Sequence, residues 1–314
     1  RRHRAGARTF SQGGQVLKGM KVLLLGHKGM LGSDLAAQFR HRHEVVGMDM
    51  DDIDITREGD VHRAVGEVCP QIVINAAAYT NVDGCETDRD ACYAVNAEAV
   101  KNIASACKGK GILIIHYSTD YVFDGTQTKP YEEDHPCRPV SVYGASKLAG
   151  EKYLQEIADD WLIIRTAWLY GLKGRNFVSA ILEKAATTGA LTVVDDQIGS
   201  PTCTRDLAAA TELLHDKKGR GIFHVTNRGY CSWFEFAKRI LKEANLEHVS
   251  LAAIKTSELK RSAPRPAYSV LSMQKFMNAT GKTMQPWQLA FSDYYKYITS
   301  RTCLADASLV KIRD

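Results

Sequence analysis

The sequence predicts an α/β fold built on a doubly wound parallel sheet, with a smaller C-terminal lobe interleaved with it. Three observations carry this. Short continuous apolar runs recur ("KVLLL", "QIVINAAA", "GILIIHYSTD", "WLIIRTAWLYG"), as expected of strands buried on both faces. Helical patterns separate them, and β–α alternation implies parallel pairing through right-handed crossovers. A glycine-rich turn joins the first run to the first helical pattern, in the manner of a Rossmann unit.

The elements follow in order. "KVLLL" is the first strand, and Leu31, Leu35 and Phe39 mark the apolar face of the first helix. "HEVVGMD" reads as the second strand, and "DIT" (Asp54, Ile55, Thr56) as the end of a third. "QIVINAAA" is then the fourth, followed by "GILIIHYSTD" and "WLIIRTAWLYG". Beyond residue 171 the pattern is less regular. "LTVVDDQIGSPT" is strand and loop, "TRDLAAATELLH" a helix, "GIFHVTN" a strand returning to the sheet, and "SWFEFAKRILKEA" an amphipathic helix.

Composition restricts the function classes. The 314 residues are 45% hydrophobic and 25% charged, which suits a soluble globular chain with a large core. The net charge of +5 is concentrated at the start, where "RRHRAGAR" holds four arginines; without them the same count is +1. Residues 1–19 are expected to be an appended remnant or a disordered arm. The body carries no charge excess pointing to nucleic acid. Eight scattered cysteines without a C-x-x-C pair argue against zinc and against a disulfide framework, and for a reducing, cytoplasmic home. No apolar run approaches the roughly 20 residues that span a membrane.

"GHKGMLG" places Gly26, Gly29 and Gly32 between a strand and a helix, with His27, Lys28, Met30 and Leu31 among them. Glycines there let the backbone approach a pyrophosphate, held at the positive end of the helix. Asp49 ends the next strand, where an acid accepts from an adenosine ribose hydroxyl. Asp54 and Ile55 are expected near the adenine, and Asn75, Ala76, Ala77, Ala78 and Tyr79 beneath a flat cofactor, with Asn96 close by. The cofactor is NADPH or NADH: Asp49 favours a free ribose hydroxyl, whereas His27 and Lys28 suit a 2′-phosphate.

"VYGASKLAGE" sets Tyr143 and Lys147 one helical turn apart. Both are common surface residues. Their chemical reading is that an ammonium stabilises a phenolate, lowers its pKa and fits the tyrosine for proton exchange near neutrality. Ser118, Thr119 and Asp120 end a buried strand, where the ligand crevice of such a sheet lies. A hydroxyl there completes a hydroxyl–Tyr–Lys set.

With these residues in place, the chain resembles an extended short-chain dehydrogenase/reductase, and within that superfamily the dTDP-4-dehydrorhamnose reductase family. "INAAAYTNVDGCE", "YSTDYVFDG", "YGASKLAGE", "RTAWLYG", "DQIGSPT", "RPAYSVL" and "PWQLAF" are similar to its motifs in its order, over residues 20–297. The resemblance implies reduction of a dTDP-4-keto sugar. Thr119 would bond the sugar carbonyl, Tyr143 protonate it, and Lys147 tune Tyr143 and hold the nicotinamide ribose, with Thr166 and Ala167 against the nicotinamide. Asp120, Tyr121, Trp168 and Asn176 would line the sugar pocket, Asp196, Gln197, Gly199, Pro201 and Thr202 its outer loop, and Arg265 would reach the diphosphate. The plainer alternatives are Trp168 as core, Arg265 as an exposed loop arginine and Asp196 as a turn residue.

One departure bears on chemistry. Sugar-nucleotide 4,6-dehydratases follow the hydroxyl residue with Asp-Glu; here Thr119 is followed by Asp120 and Tyr121, which suits reduction without elimination. Two other readings share the scaffold: another nucleotide-sugar reductase or epimerase, and a non-catalytic dinucleotide-binding subunit like the regulatory β subunit of methionine adenosyltransferase. The "DQIGSPT" loop favours a working sugar site. The expected division is residues 20–170 with about 205–228 for the dinucleotide, 171–204 with 229–298 for the sugar, and a tail at 299–314. The expected state is a monomer or homodimer without a metal.

Overall fold

The computed structural model describes residues 19–310, and side chains through residue 300. The expected N-terminal arm, save its last residue, lies outside the described residues, as does the end of the C-terminal tail. The chain runs β1 (Lys21–Leu25), α1 (Met30–Phe39), β2 (Glu44–Met48), α2 (Glu58–Val68), β3 (Ile72–Asn75), α3 (Val82–Thr87) and α4 (Arg89–Tyr93). A π-helical turn (Ala94–Glu98) then leads into α5 (Ala99–Cys107), β4 (Leu113–Thr119), α6 (Val142–Ile157) and β5 (Trp161–Thr166).

The second part comprises β6 (Leu169–Tyr170), α7 (Phe177–Thr188), β7 (Ala190–Val194), β8 (Ile198–Gly199), β9 (Thr202–Cys203), α8 (Thr204–Asp216) and β10 (Gly221–His224). It ends with β11 (Cys231–Ser232), α9 (Trp233–Glu243), β12 (Ser250–Ile254), α10 (Gln274–Thr280) and α11 (Trp287–Val310).

Six strands form one parallel sheet in the order β10-β5-β4-β3-β1-β2, so "GIFHVTN" does return to its edge. The buried runs each sit where hydrophobicity on both faces requires. One apolar layer, with Leu35, Phe39, Leu207 and Leu214, lies between the sheet and α1, α8 and α10. The other, with Val61, Val65, Ile103 and Leu154, lies under α2, α5 and α6. A separate core around Tyr170, Phe236 and Phe291 joins α7, α9 and α11 to the parallel β7–β12 pair. Strand order reverses beside β1, which pairs with both β2 and β3, and the crevice outside the strand ends opens there.

The expected third strand at "DIT" does not form: β2 is the sheet edge and "QIVIN" is the third strand in sequence. The run is rich in aspartate, and aspartates capture nearby backbone N–H groups that a ladder would need. Asp52 Oδ2 accepts from Asp49 N, and Asp54 Oδ1 accepts from both the backbone and the hydroxyl of Thr56. The segment therefore closes into turns.

Candidate active site

The site is assembled from the C-terminal ends of β1, β3, β4 and β5. At the first, Gly26 has φ +77°, and a Cβ there would stand 2.7 Å from Ala77 N. A Cβ on Gly32 would meet Gly26 O at 2.0 Å, so turn and helix approach more closely than any side chain allows. Gly29 caps α1 without a side-chain hydrogen bond, which leaves the first-turn N–H groups of α1 without a side-chain acceptor at the cap, as an anion site requires.

A cavity of about 490 Å³ opens beside this turn, lined by Gly26, Gly29, Asp49, Asp54, Ile55 and Ala76 to Ala78. Met50, Ile53, Thr56 and Val95 line it too and were missed from the sequence. Thr56 lies in the "DIT" run, Met50 and Ile53 lie between it and β2, and Val95 is next to Asn96. Asp49 accepts from the N–H groups of Lys28 and Met50, both at 2.9 Å. The Lys28 ammonium pairs with Asp51, and the His27 ring covers Gly47, where a Cβ would meet it at 2.6 Å. The Lys28 ammonium is therefore engaged within the protein, whereas His27 Nδ1 is buried without a hydrogen-bond partner.

Deeper in, Asn75 folds the β3 end over itself, accepting from Ala77 N at 3.1 Å and facing His116 Nδ1 at 3.2 Å. Asn96 sits in the π-helical turn, a feature often found at functional sites. Its amide clamps the Tyr79 backbone in both directions, at 2.9 and 3.0 Å, and donates to Ser146 Oγ. Asn96 thus fixes the floor of the cavity against α6.

Thr119 and Thr166 are register partners on β4 and β5. Thr119 Oγ1 accepts from Tyr121 N at 3.1 Å, lies 3.0 Å from Asp120 Oδ1, and makes a hydrogen bond with the Tyr143 phenol. Tyr121 meets Tyr143 edge-on at 5.7 Å. The Ser118 and Thr166 hydroxyls are buried without a partner, and Ala167 is buried beside them. Unpartnered donors at strand ends fit a ligand that supplies their acceptors.

Lys147 does not pair with the Tyr143 phenol in this structure. Lys147 Nζ donates to Tyr117 O at 2.6 Å and lies 3.4 Å from His116 Nε2, and burial pushes it down to about 8. Burial holds the Tyr143 phenol above its usual range, with the Thr119 hydrogen bond opposing. The strand-end carbonyl takes the ammonium, and burial dominates at the phenol. His116, neutral through burial, was not anticipated.

Trp168 adopts φ +48°, uncommon for so bulky a residue, and stacks on Trp233. Gly199 lies against the indole, where a Cβ would stand 2.4 Å away. Asp196 accepts from the backbone and hydroxyl of Thr256, and buried Gln197 donates to the same hydroxyl. Asn176 caps α7 and donates to Gly171 O. Thr202 and Pro201 are buried, the Thr202 hydroxyl donating to Ser200 O; the structure does not bring them to the crevice surface. Arg265 is held by Asp83, at 2.8 and 3.1 Å. Among the described residues there is no cluster suited to a metal and no helix long and apolar enough to cross a membrane.

Comparison with known proteins identifies the family and the fold. The family model of the RmlD substrate binding domain matches residues 20–300. The spore coat polysaccharide biosynthesis protein SpsK of Bacillus subtilis is 42% identical, over 87% of this chain and 96% of that protein. A dTDP-4-dehydrorhamnose reductase of Burkholderia thailandensis is 39% identical, over 86% and 96%. The crystal structure of dTDP-4-dehydrorhamnose reductase from Bacillus anthracis in complex with NADP superimposes with a TM-score of 0.86 at 36% identity, covering 89% of this chain and all of that one.

Proposed function

The chain belongs to the RmlD substrate binding domain family, and from that premise we propose that it is an NAD(P)H-dependent oxidoreductase that converts dTDP-4-dehydro-L-rhamnose to dTDP-L-rhamnose. The observation that carries the reading is the hydrogen bond between Thr119 and Tyr143 at the ends of β4 and α6, beside the glycine-turned cavity. The residues fit a dinucleotide: a cradle that no Cβ could enter, free helix N–H groups, and unpartnered Ser118 and Thr166 hydroxyls. Gly26, Gly29, Asp49, Ala76 to Ala78, Lys147, Thr166 and Ala167 would hold it. When bound, the reduced nicotinamide supplies a hydride to C4 of the sugar.

The chain's own groups supply the rest. Tyr143 gives its proton to O4 as negative charge develops there, and Thr119 donates a second hydrogen bond to that oxygen. Lys147 favours the tyrosinate left behind once it turns from the Tyr117 carbonyl. Trp168, Asn176 and the 196–199 segment bound the sugar, and Arg265 reaches the diphosphate from its seat on Asp83. Burial holds the Tyr121 phenol above its usual range, a poor substitute for the dehydratase glutamate. The reading extends to a monomer or homodimer in the cytoplasm, serving cell-surface polysaccharide synthesis.

The test is oxidation of NADPH with dTDP-4-dehydro-L-rhamnose, run beside the UDP analogue, and incubation of dTDP-glucose with NAD⁺. Turnover of the dTDP-keto sugar alone is expected. No turnover with intact NADPH binding would favour the non-catalytic subunit, and steady formation of a 4-keto-6-deoxy product would make the chain a dehydratase.

A further inference from the structure

Asp120 is 2% exposed, its Oδ2 has no hydrogen-bond partner, and its Oδ1 lies 3.0 Å from Thr119 Oγ1. A threonine hydroxyl has one proton to donate and two lone pairs to accept with. Thr119 has three neighbours inside the protein: Tyr121 N–H, the Tyr143 phenol and Asp120. If Asp120 is ionised, the arrangement is saturated. The Thr119 proton goes to the carboxylate, and its lone pairs take the Tyr121 and Tyr143 protons. Neither hydroxyl then has a proton directed at a sugar carbonyl.

If Asp120 is neutral, the polarity reverses. Its acid proton donates to Thr119 Oγ1, which releases the threonine proton. With Tyr121 N–H holding the other lone pair, the Tyr143 proton is displaced as well, and both protons are free for the same external oxygen. A neutral acid also leaves only a carbonyl oxygen at the unpartnered Oδ2 position, a smaller penalty than an unpartnered carboxylate oxygen.

Resting on the keto-sugar reductase reading, we propose that Asp120 is a positioning residue whose neutral, hydrogen-donating form turns the hydroxyl protons of Thr119 and Tyr143 toward the substrate carbonyl. Its surroundings sustain that form. Burial pushes Asp120 up to about 7, against the opposing pull of the Ser269 and Thr119 hydroxyls. The titratable groups facing it are Tyr121, from the turn that follows it, and Tyr143, from α6, both held neutral by burial. Reduction should therefore weaken as pH rises and Asp120 ionises.

The experiment measures kcat/KM for the keto sugar between pH 6 and 8 at saturating NADPH, in wild type and Asp120→Asn. The asparagine amide can donate to Thr119 but cannot titrate. Wild type is expected to lose about tenfold across the window, as a single group near 7 requires. The variant is expected to be several-fold slower at pH 6, because an amide is a weaker donor, yet flat to pH 8. A variant that keeps the tenfold fall, or a flat wild type, overturns the proposal. NADPH affinity reports that the variant is folded. The infrared difference between wild type and variant should show a neutral carboxyl band at pH 6 that fades by pH 8; its absence at pH 6 also overturns the proposal. That spectrum needs no substrate. A wild type that binds NADPH but turns over no keto sugar would defeat the reductase reading, and the carboxyl band would still decide the state of Asp120.

Discussion

The indole of Trp168 lies flat on that of Trp233, with ring centroids 3.5 Å apart and planes within 6°. Trp233 is fixed in turn by the Ser232–Glu235 capping box at the start of α9 and by Phe177, 4.4 Å away. A residue at positive φ needs such support, because its own backbone does not favour the conformation. Trp233 is the backing that holds the Trp168 indole in place.

Trp233→Leu should therefore raise KM for the sugar nucleotide with little change in kcat. An aromatic pair contributes about 0.5–1.5 kcal/mol beyond its buried area, which corresponds to roughly 2- to 10-fold. The coupled-indole signal in circular dichroism should vanish at the same time. An unchanged KM alongside a lost signal would show that the stack serves packing only.

Tyr143→Phe should keep NADPH affinity and lose on the order of 10²-fold or more in kcat, the usual contribution of a general acid. The phenol hydroxyl bonds Thr119 and supports no strand or helix, so stability should change little. Wild-type turnover by this variant would exclude the proton-donor role.

Asp49→Ala should shift preference toward NADPH, since the carboxylate that favours a free ribose hydroxyl also repels a 2′-phosphate. The change removes acceptors for Lys28 N and Met50 N, so both cofactors should bind more weakly while their ratio moves. The ratio of kcat/KM for NADPH and NADH is the measurement. A constant ratio would place Asp49 away from the ribose.

The Asp83–Arg265 pair should make stability depend on acid pH. Hydrogen bonding to the Arg265 guanidinium, then the Ala263 N–H, holds the Asp83 carboxyl well below the usual carboxylate range. A depressed folded pKa stabilises above the unfolded value, about 3.9, and that stability is lost as pH falls toward the folded value. In urea unfolding, the midpoint gap between wild type and Asp83→Asn should be full at pH 6 and narrow between pH 4 and 2. A gap independent of pH would assign the effect to packing.

The chain's local patterns determined the sheet, the glycine turn and the placing of Tyr143 and Lys147 on one helix. Continuous apolar runs leave few alternatives to buried parallel strands. A glycine triplet between strand and helix follows from backbone sterics, and the Tyr143–Lys147 spacing from helix geometry. The "DIT" strand does not form because side chains compete for its backbone, Asp52 and Asp54 above all.

What only the tertiary structure decided lies in pairings between distant segments. Arg265 meets Asp83 across 182 positions and Asp196 meets Thr256 across 60, and many surface partners would satisfy each residue equally in the unfolded chain. The Lys147 ammonium chose the Tyr117 carbonyl over the phenol one turn away, because a buried cation seeks the nearest desolvated acceptor and the sequence does not say which carbonyl faces it. The same holds for Asp120: its identity was plain, but its ionisation follows from burial at the strand end, a property of the folded chain.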